Sequence, residues 1–165
     1  MPSSYFEYIY YSLCLRSKVP TFPMRQDFKQ DIQDKKIKNI DFICYSDKKI
    51  YLIDVKGLSK LSGDTKVSRD DINGMKILEE IYGEHAVGLF VYVWIKKKID
   101  QDVKKDLLLQ KFRVKAITSK QFEKNMVQQK GWGDKFYRCN NALVKNIWEF
   151  IPNFEELIDK PEKLI

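Results

Sequence analysis

The chain has 165 residues, 44% of them hydrophobic and 13% aromatic, enough for one folded domain with a real core and too many for a disordered chain. It has no run of about 18 apolar residues, so no transmembrane helix is expected, and its start, MPSSYFEYIYY, lacks the basic segment and apolar stretch of a secretory signal. The net charge of +7 is uneven: residues 96–145 carry fourteen Lys/Arg against five Asp/Glu. That excess, with Phe112, Phe122, Trp132, Phe136 and Tyr137 nearby, suits a polyanion such as nucleic acid, though a lysine-rich solvated surface has the same composition.

Ser4 and Glu7 have capping-box spacing and predict an aromatic helix over 4–17. Pro20 and Pro23 end it and open an extended segment toward Phe28. Residues 29–36 are polar and read as a loop, 38–57 as a β-hairpin, and 57–66 as a loop or short strand. Ile72, Met75, Leu78 and Ile81 recur at helical spacing within 68–82, and Gly83 stops that helix. Residues 87–95, VGLFVYVWI, predict a strand covered on both faces, ended by Lys96, Lys97 and Lys98. A short helix is expected over 100–110, a strand over 112–117, and a helix from the capping pattern at Thr118–Gln121 to about residue 129. Gly131-Trp132-Gly133 reads as a turn, and the tail as one or two short helices broken by Pro152 and Pro161. This order gives an α/β (α+β) fold, a central mixed sheet with flanking helices, in a single domain over 1–165.

The hairpin raises a chemical question. In KNIDFICYSDKKIYLIDVKG (38–57) two apolar runs flank the turn Ser46-Asp47-Lys48-Lys49, yet each run holds a carboxylate, Asp41 and Asp54, and Lys56 follows. Residues two apart on a strand share a face, so Asp54 and Lys56 point the same way as Ile50 and Leu52. A symmetric loop of two or four residues sets Tyr45 opposite Ile50, Ile43 opposite Leu52, and Asp41 opposite Asp54. Directly opposed side chains lie about 5 Å apart at Cβ, and like charges there destabilise a hairpin. A divalent cation between the carboxylates reverses that cost. Mg²⁺ takes oxygen ligands, is held by one or two carboxylates and keeps places for water and phosphate. Lys56 is placed to orient a water or neutralise charge on a phosphate. The plainer alternatives are an ion pair between Lys56 and either acid, or a bulge that breaks the register.

Asp41, then Asp54-Val55-Lys56 across a hairpin, resembles the signature of the PD-(D/E)XK nuclease superfamily. The element order over about 4–125 is similar to archaeal Holliday-junction resolvases and to small homing or restriction-type nucleases, leaving 126–165 as a basic, aromatic extension. The resemblance implies a restriction-endonuclease-like αβββαβ core, a Mg²⁺-dependent endonuclease (Mn²⁺ substituting), DNA as substrate and a homodimer. It implies Asp41, Asp54 and the carbonyl of Val55 as metal ligands and Lys56 as the catalytic lysine. Glu7 falls where many members carry an accessory acid; its alternative is the cap with Ser4. Ile40 stands in place of the family's proline, and the second acid is Asp rather than Glu. Asn73 and Asp71 are candidates to lie near the phosphate, and Lys66, Arg69, Lys96, Lys97, Lys98, Lys135 and Arg138 to bind DNA, with Trp132 and Tyr137 as stacking partners.

Cys14, Cys44 and Cys139 are far apart, and His85 is the sole histidine, so reduced thiols in a cytoplasmic protein are expected rather than a zinc site. His85 is given no role. A second class of function remains, a non-catalytic nucleic-acid-binding module on the same fold.

Overall fold

The structure, a computed structural model, describes residues 5–24, 31–32, 35–36, 40–58, 64–95, 112–128 and 136–154. In chain order they form helix α1 (Tyr5–Arg16) and strands β1 (Thr21–Pro23), β2 (Asp31–Ile32), β3 (Lys35–Lys36), β4 (Phe42–Ser46), β5 (Lys49–Leu58) and β6 (Asp64–Ser68). Helix α2 (Arg69–Tyr82), strands β7 (Ala86–Ile95) and β8 (Phe112–Thr118), and helix α3 (Ser119–Asn125) follow. Strands β9 (Val127–Gln128), β10 (Phe136–Asn140) and β11 (Lys145–Asn146) complete the set, with 3-10 turns at Asn141–Leu143, Ile147–Glu149 and Pro152–Phe154.

The hairpin β4–β5 closes on Asp47 and Lys48, both with positive φ (46° and 63°), the signature of a two-residue type I′ turn. That turn fixes the pairing, so Tyr45 meets Ile50 and Ile43 meets Leu52, as the symmetric loop requires. Among the described residues the main sheet runs β1-β4-β5-β7-β8-β11. β5 and β7 are parallel and the other neighbours antiparallel, so the sheet is mixed. The crossover from β5 to β7 carries β6 and α2.

Side-chain alternation sorts two cores onto the two faces of the sheet. Tyr51, Ile53, Val55, Leu89, Val91 and Val93 pack with Ile9, Tyr10 and Leu13 of α1 and with Ile147, Ile151 and Phe154 of the tail. Leu52, Phe90 and Tyr92 face the other way, onto Ile72, Met75 and Leu78 of α2 and Phe122 of α3. β7 is therefore apolar on both faces because helices cover both.

Caps set the helix ends. The Ser68 hydroxyl accepts from the Asp71 amide at the start of α2, and Gly83 ends α2 at φ 92°. The Thr118 hydroxyl caps α3 by accepting from the Gln121 amide. Gly57, just past Lys56, lets the strand lie against Phe6 of α1; a Cβ there would fall within the Phe6 ring.

Three local expectations change. Residues 31–32 and 35–36, read as loop, pair as a small hairpin. α3 stops at Asn125 rather than near 129, because Met126 turns extended and Val127–Gln128 pairs with β10. β10, not recognised in the sequence, pairs along all of β6 in a second sheet, β6-β10-β9. The tail's short helices are single 3-10 turns, and the two-residue strand β11 lies among them. Ser4, Phe28, the helix expected over 100–110, the turn at 131–133 and Pro161 lie outside the described residues. All three cysteines are buried free thiols. Among the described residues no helix is long and apolar enough to cross a membrane.

Candidate active site

Asp41 sits one residue beyond the last rung of the β4–β5 ladder, Phe42 opposite Ile53. Its amide still donates to the Ile53 carbonyl at 2.9 Å. Its carboxylate turns onto β5, where Oδ2 accepts from the Val55 amide at 2.7 Å. Asp54 projects from β5 beside it, near enough for its charge to act on the Asp41 carboxyl. Both acids are buried, at 8% and 7% exposure. Burial first, and then the Asp54 charge, push the Asp41 carboxyl up to about 7; the Val55 amide opposes the shift and the Glu7 charge adds to it.

Lys56 lies on the same face, two residues on. Its ammonium donates to Asp71 Oδ2 at 2.7 Å, stands 3.2 Å from Asp54 Oδ2 and lies 5.9 Å from the Phe90 ring centre. Burial favours the neutral amine, but Asp54 and then Asp71 outweigh it and hold Lys56 above the ordinary lysine value. It is a cation at neutral pH. Tyr92, the register partner of Lys56 on β7, is buried on this face, and its hydroxyl donates to the Lys66 carbonyl at 3.3 Å. Burial, and then the Asp54 charge, push its hydroxyl pKa well up.

The sequence marks Asp71, with Asn73, as a candidate neighbour of phosphate; in the structure Asp71 accepts from the Lys56 ammonium, and Asn73 is exposed. Ser68 capping fixes Asp71 in the first turn of α2, and a parallel crossover returns that turn to the end of β5 that bears Lys56.

The other predicted residues divide. Glu7 is buried on α1, and its charge reaches Asp41. Among the described residues no group of three or more His, Cys, Asp or Glu side chains is gathered for a metal ion, so Glu7 does not close into a set with Asp41 and Asp54. Lys66, Arg69 and Arg138 are exposed, and Lys66 and Arg138 are direct partners across β6 and β10. Lys96, Lys97, Lys98, Trp132 and Lys135 lie outside the described residues. His85 is exposed beside Glu84 in the turn before β7.

Two buried, mutually repelling carboxylates form an oxygen donor pair that fits a hard divalent cation. Lys56 offsets part of that charge.

No protein-family model matches the chain, and no curated protein does. Among solved structures, it is similar to Hjc of Archaeoglobus fulgidus, a Holliday junction resolvase from an archaeal hyperthermophile. The TM-score is 0.56 at 10% identity, over 88% of this chain and 96% of that one. At this identity the likeness is one of fold.

Proposed function

We propose that the protein is a Mg²⁺-dependent DNA endonuclease of the PD-(D/E)XK type, hydrolysing phosphodiester bonds, with Mn²⁺ able to substitute. One observation carries the reading. Two buried carboxylates, Asp41 and Asp54, lie together at the end of the hairpin with the partly buried, ion-paired Lys56 beside them, an acid pair that the turn and register do not themselves require. The fold shared with a Holliday junction resolvase supports it.

Asp41 and Asp54 would hold the metal, with the Val55 carbonyl as a further donor and Glu7 adding negative charge from the α1 side. When bound, the ion supplies Lewis-acid polarisation of a phosphoryl oxygen and an acidified water. The protein's own residues do the rest. The Val55 amide fixes the Asp41 carboxylate in orientation. Lys56, held charged by Asp54 and Asp71, faces the negative charge that develops on the phosphate; its protonation suits electrostatic stabilisation and orientation of water, not proton abstraction. Asp71 orients the Lys56 ammonium. Cutting two strands needs two such sites, so the active form is a homodimer.

A calorimetric titration tests the site. Mg²⁺ or Mn²⁺ should bind wild-type protein, and Asp41→Ala or Asp54→Ala should abolish binding while leaving DNA affinity in EDTA unchanged. Equal metal binding by wild type and both variants would remove the metal centre from the hairpin. DNA binding without metal binding by wild type would favour a non-catalytic DNA-binding module.

A further inference from the structure

Four aromatic residues are exposed among those described, Tyr8, Phe22, Tyr45 and Tyr82. Of these, only Phe22 on β1 and Tyr45 on β4 meet, with ring centres 5.7 Å apart and planes at 84°. They are 55% and 44% exposed. Two large rings left in water side by side gain little for folding beyond their own contact. Edge-to-face packing covers one face of one ring at most, so ring faces remain for a further group to stack on.

Register sets the side of the sheet on which the pair stands. Phe22 is opposite Ile43, Ile43 is opposite Leu52, and Tyr45 is opposite Ile50. Opposed residues share a face, and Ile50 and Leu52 share theirs with Asp54 and Lys56. The aromatic pair therefore stands on the side of the main sheet that carries the candidate active site. Ile50 lies four residues before Asp54 on β5, about 13 Å at the rise of a strand.

Beside Tyr45 is a hollow of about 430 Å³, lined also by Asp47, Lys48, Lys49, Ile50 and His85. Lys48 and Lys49 are exposed at its rim. Aromatic rings edged by cations complement a nucleobase and its phosphate. A second copy of the chain suits the patch less well. A two-fold interface sets a patch against itself and would bring the lysine rims of both copies together.

We infer that Phe22 and Tyr45 form a stacking platform for an unpaired base of the DNA substrate, a few nucleotides from the phosphate that is cut. The inference rests on the nuclease reading for the identity of that phosphate. Bases inside a duplex are already stacked on their neighbours, so the platform selects DNA with an unpaired strand beside the cut.

The test is DNA affinity in EDTA, read by fluorescence anisotropy on a labelled oligonucleotide, single-stranded or annealed to its complement. Wild type, Phe22→Leu, Tyr45→Leu and the double variant are compared with a control, Tyr8→Leu, an exposed aromatic on α1 across the sheet. The double variant should bind single strand about tenfold more weakly and duplex as wild type does. Tyr8→Leu should match wild type on both. An abasic position that weakens wild-type binding should leave the double variant unaffected. Wild-type affinity for single strand in the double variant, an equal loss on duplex, or an equal loss in Tyr8→Leu would overturn the platform. A lowered melting temperature with unchanged affinity would make the pair a packing contact between β1 and β4. A wild-type dimer that the double variant splits in sedimentation, with affinity unchanged, would assign the pair to contact between copies. Because affinity is read without metal, the two ideas separate. Selective loss on single strand with no metal-dependent cutting by wild type retains the platform and removes the nuclease; metal-dependent cutting with no selective loss does the reverse.

Discussion

The Lys56 ammonium is closer to Asp71, across the β5–β7 crossover, than to Asp54 on its own strand, at 2.7 Å against 3.2 Å. A long, flexible lysine is thereby held by two carboxylates on two elements, and its direction is set by α2 as much as by β5. Substituting Asp71→Ala should lower kcat on DNA by about 10- to 100-fold with KM nearly unchanged, since a misplaced group costs most in the transition state. Asp71→Asn keeps an acceptor at the same place and should recover most of that loss. Equal kcat in wild type and Asp71→Ala, with only a lowered melting temperature, would make Asp71 a structural ion pair.

The buried acid pair gives metal-free protein a distinct pH dependence. The Asp41 carboxyl sits at about 7 in the fold, against about 3.9 in an unfolded chain. Between those values the native state holds a proton that the unfolded state has released. Stability from this group is therefore greatest at the acid end of the window and declines as pH rises toward and through 7. In EDTA the melting temperature should fall from pH 5 to pH 8, and Asp41→Asn should flatten that fall. An unchanged slope in Asp41→Asn would assign the pH dependence to other groups.

Gly57 tests the packing behind the site. A methyl group there meets the Phe6 ring, so Gly57→Ala must displace α1 or the end of β5. Overpacking of this kind costs about 1–3 kcal/mol, visible in urea denaturation. The companion change Phe6→Leu should restore part of the stability. No loss in Gly57→Ala would mean that the ring moves aside freely.

Much of this arrangement was legible in the sequence. The alternation of Leu52, Asp54 and Lys56 against Tyr51, Ile53 and Val55 assigned the two faces of β5, and a two-residue turn fixed its register with β4. VGLFVYVWI announced a strand covered on both sides, and Ser68 and Gly83 marked the ends of α2. The missing parts are those made by distant segments. β10 is five residues, FYRCN, paired along its whole length with β6, some seventy positions earlier, and local pattern cannot express that pairing. Ile147 and Phe154, in single 3-10 turns, and Ile151, in the bend between them, complete the core under α1 from pieces too short for any periodicity. Asp71 stood out in the sequence as a candidate near the phosphate, but its ion pair with Lys56 depends on the crossover that brings α2 back to β5.

The most direct test is a cleavage assay on linear duplex, single strand, supercoiled plasmid and four-way junction, with Mg²⁺, Mn²⁺ or EDTA, run beside Lys56→Ala. The account predicts metal-dependent cutting by wild type on at least one form, none in EDTA, and a loss of about a hundredfold or more in Lys56→Ala with binding retained. Cutting at the wild-type rate by Lys56→Ala, or equal cutting in EDTA, would contradict it.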